Sequence, residues 1–324
     1  MARRISRSVR LAALTVVVGL GLAGCGGGDI EPTAKGGDAA GGQDCGKFDV
    51  AINPWVGYEA DAHVVGYVAS SQLGCDVEYK NVKEEIAWQG MGNDEIDVVI
   101  ENWGHEDLKK KYIEDQGTAQ EAGSTGNIGV IGWYVPPWMA KKYPDITDWK
   151  NLNKYADMFE TSESGGKGQL LDGDPSFVTN DEALVKNLNL DYKVVYAGSE
   201  AALIQAFRQA EKNQKPLLGY FYDPQWFMSE VPLVKVDLPK YTEGCDADPE
   251  KVACDYPEYD LDKIVATDFA ESGSPAYDLV KNFNWTNDDQ NLVAAYIARD
   301  GMEPEEAAKK WVEENQDKVD AWLK

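Results

Sequence analysis

Asp97-Val98-Val99-Ile100-Glu101-Asn102-Trp103 is the stretch whose reading decides the fold. Three β-favouring apolar residues follow an acid suited to closing a turn, so it reads as a short buried strand ending on a tryptophan. Gly104-His105-Glu106-Asp107 then opens a helix expected to run to about Gln116, with acids in the first turn where the helix dipole favours them. In an open α/β sheet, ligands bind just beyond the carboxyl ends of strands, so the Trp103 indole faces either a cleft or the core.

Upstream, Phe48–Ile52 reads as a first strand and Asn53-Pro54-Trp55-Val56-Gly57-Tyr58-Glu59 as the loop after it. A helix over Ala60–Leu73, a strand over Val77–Asn81 and a short helix over Ile86–Met91 complete a β-α-β-α-β pattern, the signature of a doubly wound sheet. Downstream, Ile128–Val135 is a strand stopped by Pro136-Pro137, a pair that forbids helix through its first residue and suits a crossover. A helix is expected over Asp148–Met158, a Gly-rich loop over 161–174, a helix over Asn180–Leu188 and a strand over Lys193–Ala197. Ser199 caps an amphipathic helix bearing Leu203, Ile204, Phe207 and Ala210, and Pro216–Tyr222 is another buried strand. Val234–Leu238 reads as the return crossover, followed by a strand over Lys263–Thr267 and helices over about 275–283, 287–299 and 304–323. The fold class is therefore α/β. Residues 136–236 form a second lobe inserted into a first lobe built from 45–135 and 237–324. Doubly wound sheets joined by two crossover hinges should leave a cleft that closes over a ligand.

The chain of 324 residues is long enough for two such cores. Residues 1–25 read as an export signal: Arg3, Arg4, Arg7 and Arg10 precede Leu11–Leu22, an apolar run too short to span a bilayer. Leu22-Ala23-Gly24-Cys25 resembles a bacterial lipobox, in which Cys25 is lipidated and becomes the mature N-terminus. Residues 26–44 carry no aromatic side chain and read as a flexible tether. A globule lipid-anchored at the outer face of the bacterial cytoplasmic membrane is expected.

Without the four leader arginines, 27 basic residues face 56 acidic ones, a net charge near −29. That balance argues against nucleic-acid binding and against anionic membrane surfaces. Cys45, Cys75, Cys245 and Cys254 remain in an oxidising compartment; of the three possible pairings, Cys45–Cys75 and Cys245–Cys254 are preferred. The first would join the start of one strand to the entry of the next, and the second would close a short acidic loop.

Enzyme signatures are missing: the chain has no Gly-x-Ser-x-Gly, no His-Glu-x-x-His and no phosphate loop. Ser164-Gly165-Gly166-Lys167 matches Ser-x-x-Lys but lies in a Gly-rich loop. Asp172-Gly173-Asp174-Pro175-Ser176 fails as a calcium loop, because Phe177 and Ala183 stand where Gly and Glu are needed. His63 and His105 are too few for a His-rich zinc carrier, and neither a metal nor a cofactor is expected.

Aromatic residues instead gather at strand ends and the loops after them: Trp55, Tyr58, Trp103, Trp133, Tyr134, Phe177, Tyr222 and Trp226. Converging rings suit a quaternary ammonium ion. It has no N–H to satisfy, and each ring face contributes roughly 0.5–2 kcal/mol.

From Phe48 to Lys324 the chain resembles the substrate-binding lipoproteins of ABC importers for glycine betaine, choline and related solutes. The resemblance is carried by Asn53–Glu59, Asp97–Trp103, Ser199-Glu200-Ala201-Ala202-Leu203 and Tyr220-Phe221-Tyr222-Asp223-Pro224-Gln225-Trp226, with Asp300-Gly301 and Ala307-Ala308-Lys309-Lys310-Trp311 near the end. It implies a type II periplasmic-binding-protein-like fold, a monomer, and a membrane permease with its ATPase as partners. It puts cage rings at Trp103, at Tyr222 (where many relatives carry Trp) and at Phe177, with Trp55 or Tyr58 closing the box and Glu59 or Asp61 reaching a ligand hydroxyl or cation. A ligand carboxylate would need donors such as backbone N–H groups, His105, Thr179 or Asn180. A hydroxyl would tolerate the acids Glu59, Glu101 and Asp223. The competing readings are a receptor for another small cationic or amino-acid-like solute, or a lipid-anchored hydrolase. Amino-acid receptors usually grip the α-carboxylate with Arg, and the mature region offers only Arg208 and Arg299, on helices away from the expected cleft.

Overall fold

The deciding stretch forms a strand over Val98–Asn102 with every residue buried, as its unbroken apolar run requires. The computed structural model describes residues 45–177 and 179–324. The leader, Cys25 and the tether lie outside the described residues. In chain order the strands are β1 (Lys47–Ile52), β2 (Asp76–Asn81), β3 (Val98–Asn102), β4 (Ala119–Val135), β5 (Gly168–Asp172), β6 (Tyr192–Tyr196), β7 (Gly219–Asp223), β8 (Val234–Lys235) and β9 (Glu258–Ala266).

They hydrogen-bond in the order β2-β1-β3-β9-β4-β7-β5-β6, with β8 beside β4. β2, β1 and β3 run parallel, as do β7, β5 and β6, each set joined by helical connections. The crossovers are themselves strands. β4 pairs antiparallel with β9 at one end (Ala119↔Ala266) and with β7 at the other (Tyr134↔Gly219). One long strand thus threads both halves, and the cleft opens at the carboxyl ends of β3 and β7, where the topology reverses.

Three segments depart from the sequence expectation. Residues 161–174 are not loop throughout, because β5 lies within them between β6 and β7. Its apolar content is only Leu170 and Leu171, both buried, and two residues between glycine runs are too few to show a period. Residues 239–256 stay with the second half after the expected return at Val234–Leu238. Asn187 Nδ2 donates to Val252 O at 2.8 Å, and Tyr256 OH donates to Asp181 Oδ1 at 2.8 Å. β9 then pairs with β3 and β4. Trp149–Phe159, expected as an α-helix, winds as 3₁₀ turns started by Asp148, whose carboxylate accepts from Lys150 N.

The preferred disulfides are both present, Cys45–Cys75 with Cα atoms 4.9 Å apart and Cys245–Cys254 with 6.4 Å. The first ties β1 to β2 where their pairing starts, at Lys47↔Asp76. Among the described residues no helix is long and apolar enough to cross a membrane.

Candidate functional site

Trp103 follows the end of β3, and its ring packs against β4 at Gly129. A Cβ at Gly129 would sit 2.5 Å from that ring, so only glycine permits the approach. Its Nε1 donates to Glu101 Oε1 at 2.6 Å, and Trp55 Nε1 donates to the same oxygen at 3.0 Å. Gln290 Nε2 donates to Glu101 Oε2 at 2.7 Å. Glu101 is therefore a buried post, 2% exposed, that fixes two indoles from one strand. Behind it, burial and then the hydrogen bond to Glu101 push the Asp61 carboxyl far above the usual carboxylate range. Asp61 is fully buried behind the post.

From the other lobe, β7 places Tyr220 and Tyr222 on one face, two residues apart. Tyr222 meets Trp103 edge-on, with ring centroids 5.8 Å apart. Its hydroxyl donates to Glu200, which also accepts from Gln225 Nε2 at 2.5 Å. Phe177 reaches Trp55 edge-on at 5.6 Å and Tyr222 at 6.5 Å. A Cβ at Gly173 would lie 2.7 Å from the Phe177 ring, so this loop too depends on a glycine.

Trp55, Trp103, Phe177, Tyr220 and Tyr222 all line one cavity of about 790 Å³. His105, Thr179 and Asn180 line it as well, and so do Tyr256 and Tyr259. Its outer wall is acidic, with Glu106, Asp107, Glu243, Asp246 and Asp260, and part of it comes from the loop closed by Cys245–Cys254. Lys109, the one lysine on the lining, is held by Glu121 and Asp262 at 2.8 and 2.7 Å.

The structure separates the remaining expected residues. Tyr58 is fully buried behind Trp55 (ring centroids 5.3 Å), and its hydroxyl accepts from Ile100 N at 3.1 Å. Glu59 lies off the cavity lining; burial, then the charge of Glu303, raises its pKa. His105 Nε2 meets Glu84 Oε1 at 2.8 Å. Burial disfavours its charged form, but the Glu84 bond and charge outweigh this and raise its pKa. The Asn180 backbone N–H donates to Tyr256 OH at 2.7 Å, which ties this loop to Asp181 through the same hydroxyl. Sequence reasoning passed over Tyr220, although two-residue alternation with Tyr222 puts both on one face. It also passed over Glu200, whose place at a helix start reads as ordinary dipole chemistry.

The profile of the substrate-binding domain of ABC-type glycine betaine transport systems matches residues 47–314, and the chain belongs to that family. It is a substrate-binding component of the ABC importer type and not an enzyme. It is 27% identical over 281 residues to the trimethylamine N-oxide-binding protein of Pelagibacter ubique, covering 82% of this chain and 87% of that one. It is 29% identical over 195 residues to the glycine betaine/carnitine transport binding protein GbuC of Listeria monocytogenes, covering 60% of this chain and 56% of that protein. The structure of lactococcal OpuAC closed on glycine betaine matches 86% of this chain and 99% of its own, with a TM-score of 0.64 and 24% identity. A choline binding protein in complex with choline matches 86% and 92%, with a TM-score of 0.70 and 18% identity. These last two likenesses show the two-lobe fold.

Proposed function

We propose that this chain closes on a quaternary ammonium solute, with Trp55, Trp103, Phe177 and Tyr222 as the cage and Tyr220 at its side. The observation that carries the reading is the convergence of these rings from both lobes on one cavity, two of them hydrogen-bonded to a single carboxylate. An indole that donates to a carboxylate has a more negative ring face, which favours a cation over it. The acidic outer wall favours a ligand without a carboxylate, of the choline type. A zwitterion such as glycine betaine would draw its donors from His105 and the side chain of Asn180, because the Thr179 hydroxyl already donates to Asp172 Oδ2 at 3.1 Å. Tyr58 and Glu59 then act through packing and surface charge.

The lobes we propose are 45–135 with 258–324, and 136–257, because residues 239–256 bond to second-lobe elements. The loaded protein, a monomer anchored through Cys25 and the 26–44 tether, would present its solute to the permease and ATPase of its importer. Replacing Cys25 by Ser should release the exported protein from membranes.

Calorimetric titration with choline, glycine betaine, carnitine and glycine tests the ligand class. Saturable binding of a methylated amine with none for glycine is expected. Tight binding of glycine would mean that the site works by charge pairing instead.

A further inference from the structure

Glu200 opens the helix Glu200–Asn213 of the second lobe, yet its Oε2 accepts from the backbone N–H of Val56 at 3.0 Å. Val56 is the first residue of the helix Val56–Val68 in the first lobe. Its N–H is among the donors a helix start leaves without an internal partner, and the helix dipole favours an anion there. The other Glu200 oxygen takes the Tyr222 hydroxyl and Gln225 Nε2. Glu200 is buried, 8% exposed; burial raises its pKa, and the bonds from Tyr222, Val56 and Gln225 oppose that shift.

We propose that Glu200 is the latch of the closed state: it joins the lobes and, in the same contact, sets the Tyr222 ring against the ligand. Opening the cleft would strip Glu200 of Val56 and free Tyr222 to move. Closure and completion of the cage are then one event, and the latch sets how long the ligand stays. The latch rests on the ligand reading above.

The backbone offers a clean test. Trp55 before Val56 sits at φ −140° and ψ 151°, the region a residue before proline requires, and proline is well tolerated at a first helical position. Val56→Pro therefore removes the donor and spares the helix. Glu200→Gln attacks the other end, placing an amide N–H against one of the donors. Stopped-flow binding of choline and glycine betaine to the full chain is the readout.

Both variants should release ligand about tenfold faster, with association within about twofold of wild type, as loss of a contact made only after closure requires. Small-angle scattering with saturating ligand should show less contraction than in the wild type. Wild-type binding with unchanged release in either folded variant would overturn the latch alone. Failure of the wild type to bind either probe would overturn the ligand reading and the latch together.

Discussion

The two halves of the proposed cage are held in different ways. In the first lobe, Trp55 and Trp103 both donate to Glu101, a residue of their own lobe, backed by Gln290. Nothing in that arrangement needs the other lobe. In the second, Tyr222 leans on a carboxylate shared with Val56 across the cleft, and Phe177, with no polar tip, packs on Trp55. The first half is preset and the second is completed by closing. A ligand should therefore meet the indoles first, and the second lobe should govern its release.

The largest effect should come from the preset half. Trp103→Ala should weaken binding of the preferred methylated amine about tenfold or more, through both association and release. A change within twofold would remove Trp103 from the cage.

Glu101→Gln should come next. One amide N–H must then face an indole N–H or Gln290, leaving a buried donor unpaired at a cost of about 1–3 kcal/mol. Thermal unfolding should fall by a few degrees, and affinity should drop with it. Equal stability and affinity would mean that the post does not orient the rings.

Phe177→Ala should cost only about threefold, all of it in release, since one phenyl face adds roughly 0.5–1 kcal/mol at a partly exposed site. An effect on association would break the distinction between the halves.

The smallest effect concerns pH. The folded pKa of His105 is raised, so its pairing with Glu84 contributes stability fully below the ordinary histidine value of about 6.5. That contribution fades as pH rises through the raised folded value. The difference in melting temperature between wild type and His105→Gln should therefore be greatest in mild acid and shrink above neutrality. His63 behaves oppositely: burial lowers it to about 4, so it costs stability as pH falls from 6.5 towards that value.

Much of the first half was legible from local pattern. A buried strand ending on Trp103 and the Cys45–Cys75 disulfide follow from an apolar run and cysteine spacing, whereas the expected loop Asn53–Glu59 already turns into helix at Val56. What the second half needs is contact between residues far apart in sequence. Glu200 and Val56 are 144 positions apart and meet across the cleft. Strand β5 escaped because Leu170 and Leu171 are its whole apolar content. The segment 239–256 escaped because its bonds to Asn187 and Asp181 leave no periodic trace in its own residues. Glu101 reads in the sequence as an acid beside the ligand, and its place as a post depends on two indole N–H groups found only in three dimensions.

The central claim is that preset indoles select a methylated cation. The direct measurement is the affinity ratio of choline to ethanolamine, which differ only in N-methylation, in wild type and in Trp103→Ala. A strong preference for choline in the wild type that collapses in the variant is the expected result. Equal affinity for the two amines in the wild type, or a preference that survives loss of Trp103, would contradict it.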